Sequence, residues 1–170
     1  MSIIIGIDPG LTSTGFGVIK ADRRSYSHLQ HGVIHTDRLQ SRGKRLVHLY
    51  RSLDAILDEF DPQEAGLESI FFAKNVKTAM PVAEARGVIL MCLAQRNIPC
   101  HEYSPLEIKK AILGKGKAGK TQVQIMVKLV FRLDSIPQPD HAADALAVAL
   151  CHCNHTQSVI LSGIGTDKNV

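Results

Sequence analysis

The chain has 170 residues, a hydrophobic fraction of 45% and a net charge of +4. This length fits one domain with a sizeable single core. It contains no apolar run near the ~20 residues that a membrane span needs. A secretory signal has basic residues before its apolar run, and no basic residue precedes the first apolar run here. The four cysteines are therefore expected to be free thiols in a reducing compartment, which predicts a cytoplasmic protein without a membrane partner.

The first part of the chain predicts a strand meander that leads into a helix and a further strand. An unbroken apolar run, the turn Pro9-Gly10 and alternating apolar residues indicate the strands. Apolar residues three and four positions apart then indicate the helix. We expect strands over Ile3–Asp8, Thr14–Lys20, Ser25–Thr36 and Ala65–Ile70, with a helix over Ser41–Phe60 before the last of them.

The second part predicts mostly helices. They are a long helix ending near Gln95, a strand near Pro99–Tyr103, helices over Pro105–Leu113 and Lys120–Leu133, and a last helix from His141 to about Cys153. The fold class is therefore α/β, a mixed five-stranded sheet flanked by helices. We expect one domain over residues 1–155 and a flexible tail over residues 156–170.

The charge distribution favours a polyanionic partner. All seven charged residues between Ile108 and Leu133 are basic, namely Lys109, Lys110, Lys115, Lys117, Lys120, Lys128 and Arg132. The alternative is an ordinary solvated helix face.

Three predicted segments bring acidic residues together. Asp8 ends the first strand and Glu68 ends the fourth, and parallel neighbours place their carboxyl ends at one edge of a sheet. His141 and Asp144 lie three apart, on one face of the last helix. Such a set suits Mg²⁺ or Mn²⁺, and two such ions can hydrolyse a phosphodiester.

Each member of this set also has a plainer interpretation. Asp8 could cap the turn that follows it, Glu68 could be an exposed strand end, His141 could be merely exposed, and Asp144 could serve the helix dipole. Asp140 after Pro139 is interpreted as the N-cap of the last helix and is left out of the metal set. A zinc site at Cys151-His152-Cys153 is disfavoured, because neighbouring helix positions point to different faces.

Four separated motifs occur in order along the chain. They are Ile5-Gly6-Ile7-Asp8-Pro9-Gly10, Glu68-Ser69-Ile70-Phe71-Phe72-Ala73-Lys74-Asn75, Ala85-Arg86-Gly87 and Pro139-Asp140-His141-Ala142-Ala143-Asp144. From Ile3 to about His152 the chain resembles the RuvC family of bacterial Holliday junction resolvases. The resemblance implies a ribonuclease H-like fold, a homodimer, and paired metal-dependent nicks across a four-way DNA junction. Recombination and DNA repair are the processes it implies.

The resemblance also implies roles for individual residues. The metal-binding and catalytic positions are Asp8, Glu68, His141 and Asp144, with two Mg²⁺ ions expected per site and Mn²⁺ also active. Phe71 matches an aromatic residue used against bases at the junction centre. Lys109 and Lys120 match basic residues near the cleaved phosphate, and we assign Lys74, Lys110, Lys115 and Lys117 to DNA as well.

The same resemblance predicts partners besides DNA. A second copy is expected to pack against the helix around Ala83–Leu93, where small residues four apart allow close approach, and a branch-migration motor complex is expected to join. Pro81 departs from the family by falling where an uninterrupted helix is usual.

Competing functions are weaker. The Asp8-to-Gly15 segment also resembles the phosphate loop of actin-type and sugar-kinase ATP-binding proteins, but those need a second lobe. A non-catalytic junction-binding module would not need four clustered ligands. A nuclease of the same fold that acts on RNA is the nearest alternative.

Overall fold

The centre of the protein is a mixed sheet whose order is β3-β2-β1-β4-β5. The computed structural model describes residues 1–22, 25–69, 76–117 and 119–163, without the side chains of residues 76–78 and 157–163. β1 is antiparallel to β2 and parallel to β4, which is in turn parallel to β5. The strands are β1 Ser2–Asp8, β2 Ser13–Asp22, β3 Ser25–His35, β4 Glu64–Glu68 and β5 Cys100–Tyr103.

Five helices occur in the described part of the chain. They are α1 Arg42–Phe60, α2 Val76–Gln95, α3 Pro105–Leu113, α4 Lys120–Phe131 and α5 Asp140–Gly163. None of them combines the length and apolarity that a membrane span requires. The prediction of five strands flanked by helices is confirmed, including the parallel pairing of β1 with β4.

Several boundaries differ from the predictions by one or two residues, and the end of the last helix differs by more. β4 ends at Glu68, two residues before the predicted end. α5 runs to Gly163 instead of stopping near Cys153, because no glycine or proline interrupts the chain before that residue. Residues 156–163 are therefore helical, which shortens any tail to residues 164–170, outside the described ranges. Pro81 lies inside α2, so it does not delay the start of the helix beyond Val76.

The helices bury two separate apolar clusters on opposite faces of the sheet. Alternate residues of a strand point to opposite faces, so Ile4 packs with α3, α4 and α5 while its neighbour Ile5 packs with α1 and α2. Leu49, Leu53 and Leu57 of α1 are completely buried in the second cluster. The sheet is therefore covered on both faces, and its edge at the carboxyl ends of β1 and β4 remains accessible.

Glycines in β1 and β2 let α5 lie directly on the sheet. A Cβ atom on Gly6 would overlap the carbonyl oxygen of Ala145, and one on Gly15 would overlap that of His141. Gly15 is the register partner of Asp8 across the β1–β2 ladder. This contact places the first turn of α5 over the end of β1, which positions the site described next.

Candidate active site

Asp8, His141 and Asp144 meet at the carboxyl end of β1. One ligand atom from each of the three residues lies within 4.8 Å of the other two. His141 Nδ1 and Asp8 Oδ2 are 2.6 Å apart, which is a hydrogen bond between the strand and the helix. The Asp8 side chain is 14% exposed and that of His141 is 48% exposed, so the group is open to solvent from the helix side.

Glu68 lies beside this three-residue group without belonging to it. It lines a cleft of about 190 Å³ together with Lys109, Lys120 and Asp144. Burial, followed by the charges of Asp8 and Asp144 and a hydrogen bond with Asp8, raises the pKa of Glu68 to about 8. The crowding of these carboxyls therefore favours retention of a proton within the group at neutral pH.

The charge balance of the site fits a divalent cation. Burial also raises the pKa of Asp144, and the hydrogen bond that His141 donates to Asp8 raises the pKa of His141. Carboxylates crowded in this way repel one another unless protons or cations intervene. Oxygen ligands with one imidazole suit Mg²⁺ and Mn²⁺, so the residues present fit such an ion.

Lys120 enters this site from the first turn of α4. Its Nζ atom is 3.0 Å from Asp144 Oδ2 and 3.2 Å from Asp140 Oδ2. Burial alone would lower the Lys120 pKa, but its hydrogen bonds and charge interactions with Asp144 and Asp140 raise it. Lys120, predicted from the sequence to contact DNA, thus also bridges two carboxylates, a contact that the sequence pattern does not indicate.

The interpretation of Asp140 as an N-cap is wrong. Asp140 is the first residue of α5 itself, and its carboxylate is engaged by two side chains of α4. Gln124 Nε2 donates to its Oδ1 over 3.1 Å, and Lys120 approaches its Oδ2. Because Gln124 is largely buried, this contact fixes the start of α5 against α4.

The other predicted DNA-binding residues have different placements. Lys109 lies in α3, whose start is fixed by a capping box between Ser104 and Glu107, and it lines the cleft beside Glu68. Lys110 lies in the last turn of the same helix, and Lys115 and Lys117 lie in the exposed turn that follows. Phe71 and Lys74 lie outside the described residues.

The cysteines form no part of this site. All four are free thiols, and burial raises the pKa of Cys151 and Cys153 to about 12. The neighbouring His152 is buried, with Nε2 2.6 Å from Glu64 Oε2 and Nδ1 2.8 Å from the Tyr103 hydroxyl oxygen. Both ring nitrogens are thus engaged, which argues against the zinc interpretation of this segment.

A family model and curated relatives match most of the chain. The family model described as crossover junction endodeoxyribonuclease RuvC matches residues 4–152. The RuvC endonuclease of Pseudothermotoga lettingae is 48% identical over 151 residues, which cover 89% of this chain and 93% of that protein. The RuvC endonuclease of Treponema pallidum is 51% identical over 152 residues, which cover 89% of this chain and 78% of that protein.

Solved structures show the same fold. The structure of Thermus thermophilus RuvC superimposes with a TM-score of 0.86 at 30% identity, covering 92% of this chain and 96% of that one. The same protein in complex with a Holliday junction substrate gives 0.90 at 30% identity, covering 94% and 97%. The predicted ribonuclease H-like fold is thereby confirmed. A family model matches most of the chain, relatives are about half identical to it, and a solved structure superimposes on it. The chain therefore belongs to the RuvC family of crossover junction endodeoxyribonucleases.

Proposed function

We propose that the protein resolves four-way DNA junctions by paired nicks that depend on a divalent metal, in recombination and repair. The observation that carries this proposal is the convergence of Asp8, His141 and Asp144 within 4.8 Å, with Glu68 coupled to them. A binding module would have no need of such mutually repelling groups. Family membership supports DNA as the nucleic acid.

In this proposal Asp8, Glu68, His141 and Asp144 would hold two Mg²⁺ ions, and Mn²⁺ would also support activity. Such ions lower the pKa of a bound water and stabilise the leaving oxygen of the phosphodiester. The contribution of the chain is to orient the ligands: Asp8 fixes the His141 ring through Nδ1, and Lys120 stays beside Asp144, where its positive charge can meet the phosphate.

DNA is held by two lysines that line the cleft and by three on the neighbouring surface. Lys109 and Lys120 are assigned to phosphates next to the cut, and Lys110, Lys115 and Lys117 to phosphates further along the strand. Phe71 is proposed to stack on unpaired bases at the junction centre, and Lys74 is proposed to contact the same strand. Base stacking of this kind contributes about 1–3 kcal/mol per base.

A second copy of the chain is the proposed source of the second nick. Ala85, Ile89 and Leu93 of α2 face the core, whereas Gly87 and Met91 are exposed on the other side of the helix. A branch-migration motor complex is proposed as a further partner. The DNA substrate also supports the cytoplasm as the place where the protein works.

The proposed function is tested with labelled four-way junction, duplex and RNA substrates, each incubated with Mg²⁺ and with EDTA. We expect symmetric nicks in the junction with Mg²⁺ alone. Cleavage of RNA in preference to the junction would favour the alternative nuclease, and junction binding without cleavage in any metal would favour a non-catalytic module.

Replacing Lys109 or Lys120 by Ala is expected to reduce the slope of log affinity against log salt by about one for each residue. The reason is that each ammonium releases one counterion from the phosphate it contacts. The measurement is a junction-binding titration across salt concentrations in EDTA. Lys128→Ala is the matched control, because Lys128 lies two turns further along α4. Unchanged slopes for both test variants would show that these lysines contact no phosphate and belong to an ordinary solvated helix face.

Replacing Gly87 by Glu is expected to convert a dimer to a monomer without unfolding it. A Cβ atom at Gly87 meets nothing within 4 Å in the described part of the chain, so the monomer tolerates a side chain there. A buried charge at a helix–helix contact is strongly unfavourable. Sedimentation velocity measures the change, with exposed Ala55→Glu in α1 as control. If the wild-type protein sediments as a monomer at working concentration, the proposed interface is wrong.

A further inference from the structure

A second basic surface lies on α1 and on the loop before it, apart from the lysines of α3 and α4. We name it the α1 basic surface, and it consists of Arg38, Arg42, Lys44, Arg45 and Arg51. No acidic residue occurs between Asp37 and Asp54, and no basic residue occurs between Arg51 and Lys74. The helix therefore carries positive charge in its first half and negative charge in its second.

The two halves of α1 differ in how their charges are satisfied. In the second half Asp54 and Asp58 each lie 2.7 Å from Arg96, so their negative charges are partly offset within the protein. In the first half Lys44 and Arg51 are exposed and form no ion pair with another described residue. The same holds for Arg38 within the described ranges.

The remaining two arginines have partners that leave positive charge available. Arg42 pairs with Glu84, yet its side chain stays 58% exposed. Arg45 donates to two hydroxyl groups, Thr36 Oγ1 and Thr12 Oγ1, both over 2.9 Å, so neither contact neutralises it. The surface as a whole therefore presents excess positive charge to solvent.

These contacts also fix where the surface lies relative to the cleavage site. Thr12 belongs to the turn that directly follows Asp8, and its backbone oxygen accepts from the amide of Thr36. Arg45 thus ties the start of α1 to the same end of β1 that carries the metal-binding group. The α1 basic surface is close to the site in the fold, although Arg45 is 37 positions away in sequence.

The two basic surfaces flank the site from opposite faces of the sheet. α1 packs on the face that contains Ile5 and Ile7, whereas α3 and α4 pack on the face that contains Ile4 and Ile19. Lys44 and Arg51 are separated by seven residues, about 10 Å along a helix. This separation equals about three base-pair steps of 3.4 Å, so the two side chains can follow one phosphate backbone.

We propose that the α1 basic surface binds the phosphate backbone of the duplex arm that flanks the cut, while the lysines of α3 and α4 bind the cleaved strand. The ligand is polyanionic duplex DNA, recognised by charge without base reading. This proposal rests on the junction-cleaving function proposed above, and it adds a contact that neither Asp8 nor the lysine cleft makes.

The experiment compares the double variant Lys44→Gln/Arg51→Gln with wild-type protein in junction binding across salt concentrations, in EDTA. We expect the salt slope to fall by about one for each side chain, and the affinity at 0.1 M salt to fall on the order of tenfold for each. Lys20→Gln is the matched control, since Lys20 is equally exposed but pairs with Ile3 at the opposite end of β1. This variant should bind like the wild type.

Photocrosslinking gives a second readout that does not depend on the fold of a charge variant. A photoreactive amino acid in place of Lys44 should crosslink to the duplex arm, and one in place of Lys20 should not. An unchanged salt slope together with no crosslink to the arm would overturn the proposal. That result would favour an acidic protein, instead of DNA, as the partner of this surface. Because binding is measured without metal, wild-type protein that binds but fails to cleave would count against the proposed function alone.

Discussion

Asp8→Asn is expected to abolish junction cleavage and to leave junction binding within about twofold of wild type. Asp8 is the residue on which the site converges, since it is bonded to His141 and interacts with Glu68. Loss of its charge removes a proposed metal ligand, and a fall in rate of about 10³-fold corresponds to roughly 4 kcal/mol of lost transition-state stabilisation. Binding persists because the lysines and arginines that hold phosphates are unchanged.

Single-turnover cleavage and a binding titration in EDTA measure the two quantities separately. Asp134→Asn is the control, because Asp134 is an exposed aspartate outside the cleft. Cleavage by Asp8→Asn at a rate near that of the wild type would show that the metal site is misassigned.

The same variant should change stability in opposite directions at low and high pH, measured by thermal unfolding in EDTA. The raised pKa of His141 means that its pairing with Asp8 stabilises the protein below pH 6.5 and is lost as the pH rises through the folded pKa. The raised pKa of Glu68 means that ionisation of this carboxyl destabilises the folded protein. This cost begins at about pH 4.5, grows as the pH rises, and is complete above about pH 8. Burial causes most of the cost at Glu68 and remains in Asp8→Asn, whereas the share caused by the charge of Asp8 is removed. Asp8→Asn should therefore be less stable than wild type near pH 6, and this difference should shrink or reverse near pH 9.

The site's main members are predictable from sequence because each depends on a local rule. Asp8 and Glu68 end apolar strands, and parallel strands bring their carboxyl ends together. His141 and Asp144 share a helix face through their spacing. What assembles them is the close approach of α5 over Gly6 and Gly15, and the glycines of β1 and β2 were a signal for it.

The parts that sequence reasoning missed depend on contacts between distant segments. Lys120 and Gln124 meet Asp140 only because α4 packs against the start of α5. Arg45 reaches Thr12 only because α1 returns beside the first turn. Periodicity and spacing describe one segment at a time, so they identify neither contact, and on spacing alone Asp140 has the pattern of a helix cap.

Metal affinity is expected to rise with pH across the range from about 6 to 8, because protons and metal compete for the same atoms. A histidine binds metal only as the neutral imidazole. The hydrogen bond that His141 donates to Asp8 raises the pKa of His141 above its usual 6.5, and burial with the nearby carboxylates raises the pKa of Glu68 to about 8. Both protons must leave before the four proposed ligands are available, so the half-saturating metal concentration should be higher at pH 6 than at pH 8.

Variants of His141 separate its role from that of Glu68. His141→Asp replaces the imidazole by a carboxylate and should keep substantial Mg²⁺ activity with a weaker pH dependence, since only the proton on Glu68 still competes. His141→Ala should lose most activity in Mg²⁺ and in Mn²⁺, on the order of 10²-fold or more if a ligand is lost. Because imidazole is a softer ligand than carboxylate, Mn²⁺ should support the wild-type protein at least as well as Mg²⁺.

The deciding measurement is single-turnover cleavage against metal concentration at pH 6 and pH 8, with calorimetric titration of Mn²⁺ into DNA-free protein as a second readout. If His141 instead accepts a proton from the attacking water, acid would still slow cleavage, but excess metal would not restore the rate at pH 6. Equal half-saturating concentrations at the two pH values would show that protonation of His141 does not compete with metal. If excess metal restores the cleavage rate of the wild-type protein at pH 6 but not that of His141→Ala, the imidazole is a metal ligand.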